Sequence, residues 1–128
     1  DIRATVAELE KADAPIRDLA APLAEAATAL ETATNWVVET FPTAPAAVAA
    51  GATHYLRLMG IVSGAWLLGL GAMRAAEKKA TGDGDPFLDQ KIVSARFFAE
   101  QYLPQTASLR TTIMFGGATV AAVSPDAF

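Results

Sequence analysis

His54 is the only histidine in the chain, and cysteine is absent. Those two facts decide most of the chemistry this sequence can carry. Without thiols there are no disulfides, thiolate metal sites or cysteine nucleophiles. A di-iron site in a helical protein needs two Glu-x-x-His motifs, and the residue three before His54 is Gly51. Ser63, Ser94, Ser108 and Ser124 have no identifiable base, because a triad would need His54 to serve one of them. The run Asp83–Gly84–Asp85 echoes a calcium loop but lacks its D-x-[DN]-x-[DN]-G spacing and distant Glu, so it reads as a helix cap. No glycine-rich phosphate loop follows a strand. Arg57 and Arg96 lie in otherwise apolar helices and could meet ligand phosphates or a partner carboxylate. A buried charge pairing within the chain, with Glu31, Glu39 or Glu100, is the preferred reading. Trp36, Tyr55, Trp66, Phe97 and Tyr102 recur at helical spacing as candidate core anchors before they suggest a ligand box. No catalytic, cofactor-binding or metal-ligating residue is assigned.

The chain of 128 residues suits one domain, 1–128, with a core of its own. Hydrophobic residues make up 52% of it and alanine fills 29 positions, which favours helices packed closely through small side chains. The net charge is −4, and Lys78–Lys79 is the one adjacent basic pair. Nucleic acid, which requires a basic stripe, is therefore excluded as a partner. The missing cysteines fit a cytoplasmic protein. The chain opens on Asp1 with no leader of the secretory kind, as an excised piece of a longer polypeptide would.

The elements that must position these residues are helices. Ile2, Val6 and Leu9 mark a short amphipathic helix over Ile2–Ala12, broken by Asp13–Ala14–Pro15. Ile16, Leu23, Leu30 and Val37 then repeat every seven residues, with Ala20, Ala27, Thr34 and Phe41 beside them. That pattern predicts a one-sided helix with Pro22 in its first turn or at a kink, ending at the two prolines 42 and 45. A third helix is expected over about Ala46–Ala80, capped by Thr43 with Pro45 in its first turn. Asp85–Pro86 starts a fourth, with Leu88, Ile92, Ala95, Ala99 and Leu103 as its inner stripe. Pro104 is expected to kink this helix, with the rhythm resuming at Leu109, Ile113 and Val120. Gly116–Gly117 loosen its end, and Ser124–Phe128 reads as a tail. The expected fold is all-α: an up-down bundle of three long helices plus a short N-terminal helix.

Sixteen uncharged residues separate Arg57 from Arg74, four of them glycine. As a helix they span about 24 Å, short of the roughly 30 Å of a bilayer core. The reading is therefore a buried helix of a soluble domain rather than a membrane span. Tyr55, Met59, Val62, Trp66, Leu70 and Met73 share a bulky face, flanked by Leu58, Ile61, Ala65, Leu68 and Ala72. Gly60, Gly64 and Gly71 fall within about 40° of one another on the opposite side. A helix that is apolar all round must be covered all round. The three glycines thus form a candidate close-packing seam or interface.

Two blocks, "HYLRLMGIVSGAWLLGLGAMRAA" and "DPFLDQKIVSARFFAEQYLPQTASL", followed by "GG" and "PDAF", carry a family resemblance. Together with "ATNWVVE" they resemble the extra C-terminal helical domain of one branch of the acyl-CoA dehydrogenases, the 3-methylmercaptopropionyl-CoA dehydrogenase-like enzymes. The likeness runs from about Leu19 to Phe128. It implies a parent enzyme that uses FAD to oxidise the α,β carbons of a CoA thioester. The base and the flavin site would belong to a core that precedes this chain. The chain itself would bind no cofactor and be inactive alone. Its implied partners are the catalytic core of the same polypeptide and, in a homo-oligomer, further subunits; a membrane is not expected. The rival reading is a stand-alone helical protein-interaction module.

Overall fold

Each helix begins and ends for a reason that can be read in its terminal residues. α1 spans Ile2–Lys11, with the Asp1 carboxylate accepting from the Arg3 amide at 3.2 Å. Pro15, joined to Ala14 by a cis bond, and a 3-10 turn at Arg17–Leu19 lead into α2, Ala20–Thr40. Pro22 sits in the first turn of α2, where its missing N–H costs nothing. α3, Pro45–Ala50, and α4, Ala52–Ala80, follow. α4 closes on Gly82, whose φ of +92° lets its amide and that of Asp83 return to the carbonyls of Lys79 and Lys78. α5, Pro86–Gln101, is capped by Asp85, which accepts from the Phe87 amide at 2.9 Å. α6, Gln105–Phe115, and α7, Gly117–Ala121, complete the chain. The computed structural model describes residues 1–124 and 126, among which no strand occurs. Most of the expected tail, Pro125, Ala127 and Phe128, lies outside the described residues.

Two expected helices are divided. The segment from Ala46 to Ala80 breaks at Gly51, which is buried where a side chain would meet the Ile113 backbone at 3.4 Å. Thr43 does not cap it: Ala44 is the N-cap residue, and the Thr43 hydroxyl donates to the Thr40 carbonyl at 3.3 Å. The fourth segment ends at Gln101 and restarts at Gln105, so Pro104 separates α5 from α6 rather than kinking one helix. Proline offers no N–H and pushes the residue before it out of helical geometry, which leaves Tyr102–Pro104 as a turn. Phe41 lies past the last turn of α2 and Val120 past the break at Gly116, so both are exposed instead of joining the inner stripes.

α4 is the centre of the packing, touched by α1, α2, α5 and α6. Leu9, Leu23, Leu58, Val62 and Ile113 are fully buried at these contacts. Ala26, Ala33, Ala65, Ala72, Ala95 and Ala99 line the same core, and their small side chains let the helix axes approach. Two polar ties cross it: Trp66 Nε1 donates to Thr5 Oγ1 at 2.7 Å, and the Thr34 and Tyr55 hydroxyls meet at 2.8 Å. Each joins helices distant in sequence and satisfies an otherwise stranded polar atom.

Candidate docking surfaces

The groups with the best chance of chemistry do not converge. His54 is exposed on α4, and among the described residues no three His, Asp or Glu side chains cluster as a metal site. Arg57 donates to Gln105 Oε1 at 2.8 Å, tying α4 to α6. Arg96 reaches Glu100 one turn on, at 3.5 Å, with both side chains largely in solvent, where an ion pair contributes little. The two arginines are thus surface contacts in the free chain, not a buried pairing.

The aromatic residues divide by helix. Trp36, Tyr55 and Trp66 are half-buried against the core. Phe97 is 57% exposed and Tyr102 also reaches solvent, because α5 packs chiefly on α4 and leaves its far side uncovered. Phe98 stacks on Tyr102 with ring centres 4.7 Å apart, and its ring edge covers Gly64.

That cover distinguishes Gly64 from its two companions. A side chain built on Gly64 would meet Phe98 Cζ at 3.2 Å, whereas nothing lies within 4 Å of one built on Gly60 or Gly71. Beside the two open glycines stand Leu56, 71% exposed, and Leu67, 61% exposed. Sequence reading passed over both leucines, although each lies four residues before one of these glycines and so shares its side of the helix. On α5, Phe87, Val93 and Phe97 are exposed as well. α4 is long and apolar enough to cross a membrane, yet only 33% of its most apolar stretch is buried within the chain. Its free side is an uncovered apolar surface.

An open groove of about 730 Å³ runs between α2 and the α5–α6 corner. Leu19, Ala29, Ala99 and Leu103 form a buried apolar floor. Arg96 and Arg110 on its rim are outnumbered by Asp18, Glu25 and Glu100. Three carboxylates around two guanidiniums do not suit the pyrophosphate of a dinucleotide, which needs donors that converge. Neither surface pairs a nucleophile with a base.

The sequence model described as "Acetyl-CoA dehydrogenase C-terminal like" matches residues 1–124. The chain is 34% identical over 112 residues to a 3-methylmercaptopropionyl-CoA dehydrogenase of Ruegeria pomeroyi (strain ATCC 700808 / DSM 15171 / DSS-3). That match covers 88% of this chain and 19% of the relative, so the chain spans about a fifth of the enzyme it resembles. With a family-model match over residues 1–124, this chain belongs to the acetyl-CoA dehydrogenase C-terminal-like family.

Proposed function

We propose that this chain is the C-terminal accessory domain of an FAD-dependent, cytoplasmic acyl-CoA dehydrogenase and serves core packing and subunit association. The observation that carries the reading is the family-model match over residues 1–124, beside a match of 88% of this chain to about a fifth of a dehydrogenase. It is joined by the uncovered apolar residues of α4 and α5. In the parent, the flavin would accept a hydride from the β carbon of a CoA thioester. No residue of this chain is given a part in that step. The domain would act as a rigid up-down packing of α2, α4 and α5–α6 fronted by α1, presenting the free side of α4 and α5 to the rest of the enzyme and to its subunits. Purified full-length protein should be yellow and reduce an electron acceptor on addition of a short-chain acyl-CoA. Residues 1–128 alone should be colourless and inactive. Flavin absorbance in the isolated 1–128 chain, or its absence from the full-length protein, would overturn the reading.

The groove between α2 and α6 favours a second reading, a stand-alone module that takes a partner's side chains on its apolar floor. That reading requires a coding region beginning close to Asp1 with no flavoenzyme upstream, which sequencing the locus decides.

A further inference from the structure

The two walls of the groove between α2 and the α5–α6 corner carry opposite charge and do not meet. The α2 wall holds the carboxylates of Asp18 and Glu25 and no cation. The facing wall holds Arg96 and Arg110, and Arg96 is already engaged by Glu100 on its own side, at 3.5 Å. Among the described residues no ion pair crosses the groove, and Asp18, Glu25 and Arg110 take part in none. Arg110 is nevertheless half-buried, while Asp18 and Glu25 are exposed. Between the walls the floor is apolar, built from Leu19, Ala29, Ala99 and Leu103. The α2 wall runs from Asp18 to Thr28, about 15 Å at 1.5 Å per residue. By contrast, no charged residue lies between Arg57 and Arg74, so nothing on the free side of α4 selects among apolar covers.

We infer that this groove receives an amphipathic helix of a partner protein, about three turns long. Its apolar stripe lies on the floor, a basic flank meets Asp18 and Glu25, and an acidic flank meets Arg110. The conformation follows from the walls. They are helices whose backbone groups are bonded internally, so an extended segment would lay its own N–H and C=O groups unpaired against the apolar floor. A helix satisfies those groups within itself. A small ligand suits the site less well, because such ligands bury roughly 70–90% of their surface and this groove is open to solvent. The floor supplies most of the affinity. The exposed charges add little each, but they set orientation. Turning the bound helix end for end exchanges its flanks and sets carboxylate against carboxylate, so the groove dictates which way the partner chain runs. This inference concerns the groove alone and does not rest on the accessory-domain reading.

Three stapled helical peptides with the same leucine stripe test this. One carries lysine on one flank and glutamate on the other, one lysine on both, and one glutamate on both. Titrated into the 128-residue chain at low salt, the mixed peptide should bind at least about tenfold more tightly than either other. The gap should narrow at about 0.5 M salt, where exposed charges are screened. Arg110→Glu should weaken the mixed peptide about tenfold and make the all-lysine peptide the preferred one. Ala107→Trp, at an exposed position lining the groove, should weaken all three while the helical circular dichroism stays unchanged. Equal affinity for the three peptides, no binding of the mixed one below about 1 mM, or a ranking that Arg110→Glu leaves unaltered would overturn the inference. So would a native dimer that Ala107→Trp makes monomeric, which assigns the groove to a second copy. Decanoate displacing the mixed peptide at equal concentration would assign it to a small amphiphile instead. Flavin content of the full-length protein is read separately. Failed peptide binding leaves the accessory-domain reading standing, and a colourless full-length protein leaves the groove result standing.

Discussion

Gly117 opens the short helix α7 and Gly60 lies inside the long helix α4, and the two do opposite things. A side chain built on Gly117 would lie 2.6 Å from the Ala47 carbonyl oxygen and 2.9 Å from its Cα, both backbone atoms that cannot step aside. α7 is clasped to α3 through that closeness. Around Gly60, and likewise Gly71, there is open space. Neither Gly60 nor Gly117 has a positive φ, so backbone strain explains neither. The difference teaches that a glycine in a helix declares its purpose through what surrounds its missing side chain. One glycine closes a contact inside the chain, and the others leave one open on its surface. An open glycine in an exposed helix costs stability relative to alanine and gains nothing within the monomer.

The largest effect should come from closing the clasp. Gly117→Ala pushes a methyl group into the Ala47 backbone and should lower stability by about 1–3 kcal/mol, the usual range for overpacking. Hydrogen exchange should show α3 and α7 losing protection together while α4 keeps it. If the melting temperature does not fall, the clasp is not tight and the contrast with Gly60 collapses.

At the open sites the sign reverses. Gly60→Ala and Gly71→Ala meet nothing within 4 Å, so each should stabilise the monomer by up to about 1 kcal/mol through helix propensity alone. The melt is run dilute, so that only the monomer is read. A loss of stability at either position in dilute solution would mean that the free side of α4 is already covered within the chain.

Much of this fold was legible because it depends on local chemistry. Asp85–Pro86 marks the start of α5, and the inner stripe Leu88, Ile92, Ala95, Ala99 and Leu103 follows a helical period that only one face can satisfy. The breaks were harder to see. Gly51, at the break between α3 and α4, is buried against Ile113 of α6, a contact about sixty residues away that no local pattern records. Phe97 reads as a core aromatic by spacing, but whether a face is inward depends on how many helices surround it, and α5 leans mainly on one. The glycine triad could be seen on a helical wheel; its division into a covered member and two open ones could not, because Phe98 comes from another helix. Leu56 and Leu67 were overlooked for a related reason. On a helix apolar all round, composition does not say which leucines the fold leaves outside.

Gly64 tests the boundary between the two kinds of glycine and should show the smallest effect. Its hypothetical side chain lies 3.2 Å from Phe98 Cζ, the far end of a ring that can tilt, rather than from a backbone atom. Gly64→Ala therefore gains helix propensity of about 1 kcal/mol and gives back a similar amount by disturbing the Phe98–Tyr102 stack. The net change should fall within about 0.5 kcal/mol of zero. Phe98→Leu removes the ring edge, and in that background Gly64→Ala should recover most of its propensity gain, a coupling that a double-mutant cycle measures directly. If the alanine has the same effect in both backgrounds, Phe98 is not what distinguishes Gly64 from Gly60. A cover from outside the chain would then have to be sought for all three glycines.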